Sequence, residues 1–220
     1  MEINQLINIM AEGILETLYM TVVSTVLAYV LGIPLGVILF ITDKDGIAEN
    51  GAINKVLGVI VNLLRSVPFI ILLVAILPFT RFVVGTTIGA TATIVPLVVA
   101  AIPFVARMVE SSLKEVNGGV IEAALSMGSN TYQIITKVLL PEAKPSLIVG
   151  STIAITTILG YSAMAGFVGG GGLGAIAINY GYYRYQEDIM FITVILLVIV
   201  VQIFQETGMK IASGTDKRRR

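Results

Sequence analysis

The residue types that most often perform catalysis or bind metals are missing from this chain. It has 220 residues and contains neither cysteine nor histidine, which excludes thiol nucleophiles, histidine bases and Cys/His zinc sites. Its carboxylates lie near the ends of apolar stretches and form no pair suited to acid–base catalysis. The glycine-rich stretch GFVGGGGLG at 166–174 lacks the Gly-Lys-Ser/Thr ending of a phosphate-binding loop. The sequence therefore predicts no catalytic residue, no metal site and no bound cofactor.

The most informative segment is VIEAALSMGSNTYQIITKVLLP at 120–141. The residues before Gly128 are good helix formers, and Gly128 suits the left-handed position that follows a helix. Asn130 followed by Gln133 is the pattern of a capping box, which predicts a second helix that stops near Pro141. The segment is therefore predicted to form two short helices joined by a sharp turn. Their apolar positions need a partner surface, either on the same bundle or on another protein.

The rest of the chain is apolar enough to lie in a membrane. Hydrophobic residues make up 56% of it and its mean hydropathy is +0.93, values that fit a helical membrane protein and not a soluble domain. A membrane-spanning helix needs about 20 apolar residues. Five stretches reach this length. They predict an all-α, polytopic membrane protein with one domain over 1–220 and spans at about 18–41, 56–78, 86–106, 146–165 and 189–207.

Basic residues are divided unequally between the two sets of loops. Eleven of the 14 lysines and arginines fall in the 42–55 loop, the 107–145 insert and the segment after 207, whereas the other side has Arg81 and Arg184. Because basic loops remain in the cytoplasm, the N-terminus is predicted outside the cell membrane. The C-terminus and the insert are then cytoplasmic. The terminal KRRR is interpreted as a cytoplasmic anchor, and no nucleic-acid partner is expected.

The predicted spans contain almost no ionisable residue. Arg65 is the exception, and it either snorkels from a helix end or pairs inside the bundle. Carriers driven by protons or ions usually need charged residues inside the membrane. The scarcity of such residues argues against a carrier that is driven by an ion gradient. Pro68 removes a backbone donor and allows a local bend. The spacing of Gly32 and Gly36 favours close contact between helices.

Small and polar residues form a stripe along the fourth span. Its members are Ser146, Gly150, Ala154, Thr157 and Tyr161. Such a stripe either packs helices within one subunit or lines a pathway or a subunit seam. Met164 has the same two interpretations, as packing or as a flexible apolar gate. The tyrosines between 180 and 185 form either an aromatic belt at the membrane surface or a recognition surface.

Residues 122–141 resemble the cytoplasmic coupling loop of permease subunits from binding-protein-dependent ABC importers. That loop has the pattern E-A-A, three residues, Gly, nine residues, then I-x-L-P. The matching residues here are Glu122, Ala123, Ala124, Gly128, Val138, Leu140 and Pro141, with Val138 in place of isoleucine. The resemblance extends over roughly 14–208. Within the family, methionine-uptake permeases have segments similar to ETLYMTVVSTVLAYVLGIPLGVILF, RSVPFIILLVAILPFTR, IPFVARMVE and GYSAMAGFVGGGGLG.

The resemblance implies an ABC-importer permease fold with a cytoplasmic coupling helix, located in a bacterial plasma (inner) membrane, and it implies partners. Two copies would form a homodimer above two ABC ATPase subunits, with a substrate-binding lipoprotein or periplasmic protein outside. Glu122, Ala123 and Ala124 would meet the ATPase, Gly128 would make the turn, and Leu140 and Pro141 would close the motif. ATP and Mg would be used by that partner, so this chain is not expected to be an enzyme.

The function that the resemblance implies is ATP-driven import of methionine, as the D- and L-forms. An importer of another amino acid or small solute remains an alternative. A carrier or channel that works alone, and a membrane scaffold without transport, come from other classes. Gly169, Gly170, Gly171 and Gly172 allow a tight turn on the outer side. These glycines either serve only that turn or also contact the substrate-delivering protein.

Overall fold

The structure is a computed structural model of the chain and describes residues 3–215. Within this range the backbone is helical and contains no β-strand, so the predicted all-α fold is confirmed. The helices in chain order are α1 Ile3–Ile41, α2 Gly51–Ser66, α3 Phe69–Ala75, α4 Leu77–Val84, α5 Ala90–Lys114, α6 Gly118–Ser126, α7 Thr131–Ile134, α8 Leu140–Glu142, α9 Lys144–Met164, α10 Gly172–Ile176 and α11 Glu187–Thr215.

The predicted second span is broken in the structure, so the predicted number of five spans is reached only if a bent pair counts as one. Long apolar helices are found in α1, in α5, in the stretch that begins with α9, and in α11; α2 and α3 make a fifth span if the bent pair counts as one. The two helices meet at 101°. The break falls at Val67, which is extended, as expected for a residue before proline. Pro68 has no N–H with which to continue α2. The straight span predicted at 56–78 is therefore corrected to a bent pair.

The first helix is longer than the predicted span. It begins at Ile3 and not near residue 18, because the apolar residues before 18 pack onto α10 and α11. Met10 is buried in a cluster with Leu173, Ile176 and Ile189. Glu12 and Glu16 interrupt the apolar run within this part of the helix, and for that reason a count of apolar residues starts the span too late. Tertiary contact, more than hydropathy, decides where α1 begins.

The third long helix also extends beyond its predicted end at 106. α5 continues to Lys114, so the insert predicted at 107–145 begins eight residues later than expected. Arg107, Glu110 and Lys114 recur at spacings of three and four residues and therefore share one face of the helix. They pair with one another on that face, which allows the helix to continue past its first charge.

The crossing of α1 and α5 forms the centre of the bundle. A Cβ atom on Gly36 would lie 2.5 Å from the carbonyl oxygen of Ala106, and one on Gly32 would lie 2.6 Å from the Val105 side chain. Both glycines therefore permit the close contact that their spacing predicts. The core around this crossing includes Leu97, Ala101, Val105, Val109, Leu113, Ala154 and Ile158.

The two ends of the bundle have different contents. At one end, here called the insert end, the last turns of α1, α5 and α11 and the first turn of α9 gather with residues 118–142; Asp43 after α1 pairs with Lys114 of α5 there. At the other end, here called the glycine end, the first half of α1 and the start of α11 surround residues 165–182. The Gly89 N–H donates to the Gly169 carbonyl at this end, at 2.9 Å.

Candidate functional site

The helical insert, residues 118–142, folds as the sequence predicts, into two short helical arms with a turn between them. The first arm is α6, whose first turn is capped by the Asn117 side chain, which accepts from the Gly119 N–H at 2.8 Å. The second arm starts with α7 and continues through a π-helical segment, Ile135–Leu139, to Glu142 at the end of α8. The second arm thus ends within one residue of the predicted stop.

The turn between the arms is held by its own backbone. Gly128 has φ of +78° and donates to the Leu125 carbonyl at 2.9 Å, while the Ser129 N–H donates to the Ala124 carbonyl at 3.1 Å. This pair of bonds is the Schellman motif, which ends a helix through a left-handed residue. Asn130 and Gln133 then form the predicted capping box, with bonds of 2.9 and 3.0 Å in the two directions. The four residues from Met127 to Asn130 therefore join the two arms in a defined conformation.

The motif residues of the insert divide between an inner and an outer surface. Ala124 is buried and belongs to the main core together with Ile134 and Leu139. Leu140 is partly buried against the same core, so these residues hold the insert on the bundle. Glu122, Ala123, Gly128 and Pro141 are exposed.

Three large side chains on the outer surface were missed by reasoning from the sequence pattern. Met127 is 79% exposed, Tyr132 is 73% exposed and Leu125 is 49% exposed, although all three are apolar or aromatic. They lie on both sides of the Gly128 turn, close to Glu122 in sequence. Exposed apolar side chains grouped on a rigid turn are typical of a protein-binding surface. These three residues do not lie on the buried side of the insert with Ala124 and Ile134. Apolar residues outside that buried side were the feature of the sequence that could have indicated this surface.

A cluster of charges links α5 to the neighbouring elements at the insert end. Glu110 is buried, and its two oxygens accept from Arg107 at 2.6 Å and from Lys114 at 2.9 Å. Arg107 also donates to the Asn62 side chain on α2 at 3.0 Å. Lys114 donates to Asp43, at 2.8 Å, and this ammonium holds the pKa of the Asp43 carboxyl below its ordinary value. The sequence pattern predicts Arg107 and Lys114 in a loop and gives no role to Glu110, whereas all three lie on α5.

The polar stripe on α9 is divided in the structure. Ser146 lies at the insert end, where its hydroxyl donates to Ser112 at 3.0 Å and where both residues line a cavity of about 430 Å³ with Glu115 and Glu142. Gly150 is buried against the Met108 side chain of α5. Ala154 is fully buried in the core, so the middle of the stripe packs helices together.

The C-terminal half of the stripe, away from the insert end, lies beside a second cavity. Tyr161 stacks on Phe69 with ring centroids 4.5 Å apart, and both line a cavity of about 180 Å³ that also borders Arg65. Arg65 itself is exposed and makes no ion pair among residues 3–215. The Thr157 hydroxyl bonds to the Ile153 carbonyl of its own helix. Met164 is 46% exposed at the end of α9.

The glycine-rich segment, residues 169–174, makes the tight turn that the sequence predicts. Gly169 and Gly172 have φ of +81° and +79°, and Gly170 is buried so closely that a Cβ would lie 2.8 Å from the Ala165 carbonyl. Beyond the segment, Arg184 stacks over the Tyr180 ring at 4.5 Å. Tyr182, Tyr183 and Tyr185 are exposed.

These features of the site agree with a comparison with known protein families. Residues 28–207 match the family described as "Binding-protein-dependent transport system inner membrane component". The chain belongs to this family. It is a multi-pass permease of the inner membrane, and the family predicted from the motif at 122–141 is confirmed.

Individual relatives resemble the permease over nearly its whole length. The "Probable D-methionine transport system permease protein MetI" of Vibrio cholerae is 54% identical over 203 residues, which are 92% of this chain and 90% of that protein. The "Methionine import system permease protein MetP" of Bacillus subtilis is 50% identical over 92% of this chain and 91% of its own length. A chain of the "MetNI methionine ABC transporter", solved in inward-facing conformations, superposes with a TM-score of 0.96 at 46% identity, over 99% of this chain and 100% of that one. The permease therefore has the fold of an ABC transporter permease, as predicted.

The turn of the insert depends on the left-handed conformation of Gly128. Gly128→Ala is expected to destabilise the turn by about 1 kcal/mol, because a Cβ disfavours positive φ. Nothing lies within 4 Å of that Cβ position, so crowding adds nothing. Hydrogen exchange of residues 124–133 in the full permease should accelerate severalfold. Gly128→Asn, which tolerates the left-handed region, should have a smaller effect; equal effects would argue that φ is not the cause.

The buried carboxylate of Glu110 neutralises two cations. Glu110→Gln keeps one acceptor oxygen but removes the charge, and we expect a loss of about 1–2 kcal/mol in stability because charge-assisted hydrogen bonds become neutral ones. Thermal unfolding in detergent would measure the loss. Glu115→Gln is the control, since Glu115 is exposed and makes no ion pair in the described chain. Equal effects of both variants would show that the Glu110 charge is not required.

Proposed function

We propose that this chain is the permease subunit of an ATP-driven importer that moves methionine, in its D- and L-forms, into the cytoplasm. The observation that carries the proposal is the rigid turn at Gly128 with Met127 and Tyr132 exposed on it. The names of the relatives in Vibrio cholerae and Bacillus subtilis support the choice of substrate. The resemblance at 122–141 and the fold support a chain that works with a separate ATPase.

The proposed assembly has two copies of the permease related by a twofold axis. Two ATPase subunits contact the insert end, and a substrate-binding lipoprotein or periplasmic protein contacts the glycine end at residues 169–172. The N-terminus then lies outside and the C-terminus in the cytoplasm. ATP and Mg act only in the ATPase, because no phosphate-binding motif is found in this sequence.

The connection between the insert and the bundle supports transmission of movement. Three residues separate the end of α5 at Lys114 from the start of α6 at Gly118, and buried Ala124, Ile134 and Leu139 fix the insert to the core. Lys114 is itself tied to Asp43 after α1. A displacement of the insert by the ATPase would therefore move α5 and the end of α1 together. ATP shifts the equilibrium between the inward-open and outward-open states, because it binds more tightly to one of them.

The pathway is proposed to follow the polar face of α9. Its two ends meet the cavities beside Ser146 and Tyr161, with Thr157 between them and Met164 as the apolar gate. Gly150 contributes less directly, since it is packed against Met108. One copy does not enclose a passage along this face, so the second copy would supply the opposite wall.

Uptake of labelled methionine into vesicles tests the substrate assignment. The vesicles should contain the permease with its cognate ATPase and binding protein, with ATP inside. We expect uptake that unlabelled L-methionine and D-methionine suppress and that leucine or histidine does not. An importer of another amino acid is the second candidate. Transport of such a solute with no methionine uptake would overturn the assignment.

A further inference from the structure

We propose that Glu16 and Thr17 of α1 are positioning residues that cap α10 from a distance and hold the glycine-rich segment in one conformation. The outer surface of this segment, where Gly169 is exposed and Gly171 is partly exposed, is then set by α1. The expected effect on binding of the substrate-binding partner rests on the proposed function, whereas the contact between α1 and α10 does not. Neither residue belongs to the coupling motif, the polar stripe or the tyrosine cluster.

Two hydrogen bonds join α1 to the start of α10. A carboxylate oxygen of Glu16 accepts from the Gly172 N–H at 2.6 Å, and the Thr17 hydroxyl oxygen accepts from the Leu173 N–H at 2.9 Å. The Thr17 hydroxyl proton is used separately, since it donates to the Gly13 carbonyl at 2.8 Å. The oxygen of Thr17 is therefore oriented toward α10. These residues are separated by 156 positions in sequence.

These two N–H groups are ones that a helix cannot satisfy internally. The first N–H groups of any helix have no partner within it, and a side chain just before the helix usually accepts from them. The residue in that place is Gly171, which has no side chain, and α10 has no cap of its own. Glu16 and Thr17 thus perform for α10 the task that Asn117 and Asn130 perform locally for α6 and α7.

The contact requires glycine at two positions of the segment. A Cβ on Gly171 would lie 2.5 Å from the Glu16 carboxylate oxygen, and one on Gly172 would lie 2.5 Å from the Thr17 hydroxyl oxygen. Gly172 also has φ of +79°. The close approach therefore needs an acceptor on α1 and the absence of a side chain on the segment. This explains two of the glycines by a specific contact and not only by flexibility.

Removal of the acceptors should loosen the segment without unfolding the permease. α10 has five residues and continues into a π-helical segment, Ala177–Tyr182. Together they are shorter than the roughly 12–15 residues that a helix needs to persist through its own backbone bonds. The apolar cluster of Met10, Leu173, Ile176 and Ile189 still holds α1, α10 and α11 together. Thr17 is only 1% exposed and Glu16 is half-buried, so water replaces these acceptors poorly. The expected result is faster local opening of residues 169–176 with the bundle intact.

Hydrogen exchange by mass spectrometry tests the contact in the full permease in lipid nanodiscs. Peptides that cover 169–176 should exchange about tenfold faster in Glu16→Ala and in Thr17→Val, a loss on the scale of a helix cap. Glu16→Gln and Thr17→Ser keep an acceptor oxygen and should remain close to wild type. Peptides from α5 should be unchanged in all four variants. Unchanged exchange of 169–176 in both Glu16→Ala and Thr17→Val would overturn the proposal.

A second variant uses the crowding at Gly171. Gly171→Ala should accelerate exchange of the same peptides, because its Cβ displaces the Glu16 carboxylate. In a Glu16→Ala background the same change should have a smaller effect, since the nearest obstacle is gone and only the Ala90 Cβ, at 3.1 Å, remains close. If the increases in exchange rate caused by Gly171→Ala and Glu16→Ala simply multiply in the double variant, the two residues are not in contact. This comparison remains informative if a single variant alters the fold.

The affinity of the binding partner separates the contact from the proposed function. With the cognate binding protein, Glu16→Ala should bind at least severalfold more weakly than Glu16→Gln. Faster exchange with unchanged affinity would overturn the link to the partner, while the exchange result supports the capping contact. Failure of wild-type permease to transport methionine would instead overturn the proposed substrate and leave the exchange result in force.

Discussion

Permease with Met127→Ala and Tyr132→Ala is expected to associate with its ATPase subunit at least about thirtyfold more weakly than wild type, because a few exposed anchors contribute most of an interface's binding energy. These two side chains are the most exposed large apolar groups of the helical insert. The turn at Gly128 fixes the backbone that carries them before binding, so little backbone conformational entropy is lost when a partner covers them. Association can be measured between purified ATPase and permease in nanodiscs.

Two comparisons distinguish the surface from a general loss of exposed apolar area. Tyr185→Ala removes a tyrosine that is 88% exposed at the glycine end and should leave ATPase association unchanged. Glu122→Arg reverses an exposed charge beside the same turn and should weaken association while membrane insertion is retained. If the double variant associates as tightly as wild type, the insert is not the docking surface.

Gly36→Ala is expected to destabilise the permease by about 2 kcal/mol, within the range for an overpacked core. The added Cβ would lie 2.5 Å from the Ala106 carbonyl oxygen and 2.7 Å from the Val109 Cβ. The first of these atoms belongs to the α5 backbone, so the two helices must move apart. The midpoint of thermal unfolding should fall by about 5 °C for a protein of this size.

Gly160→Ala is the matched control for this prediction. Gly160 also lies within a long helix, α9, but nothing is found within 4 Å of its Cβ position. The substitution should be neutral or slightly stabilising, because alanine is the better helix former. A loss of stability equal to that of Gly36→Ala would mean that close packing at the α1–α5 crossing is not the cause.

The all-α class, the approximate positions of the long apolar helices and the two short arms of the insert could be predicted from the sequence, because each depends on local composition. Long apolar runs specify spans, and Gly128, Asn130 and Gln133 specify a turn and a cap through their own backbone chemistry. Helix ends were less predictable. α5 passes the expected end at 106 because Glu110 pairs with both Arg107 and Lys114, and such pairing depends on the folded helix face.

The site was predictable where its residues form a motif and not where distant segments meet. Glu122 and Gly128 were found through the resemblance, and the structure leaves both exposed. Ala124 and Leu140, in the same motif, turned out to hold the insert on the core. The contact of Glu16 with Gly172 joins residues far apart in sequence. No local pattern indicates that contact, because it arises only when α1 and α10 pack together.

The flux of labelled methionine into liposomes tests most directly whether the permease needs an external source of energy. One preparation contains the permease alone; the other contains the permease with its ATPase and binding protein. We predict no flux above protein-free liposomes in the first, and uptake in the second that stops when a non-hydrolysable nucleotide replaces ATP. Rapid flux through the permease alone, without nucleotide, would contradict the account.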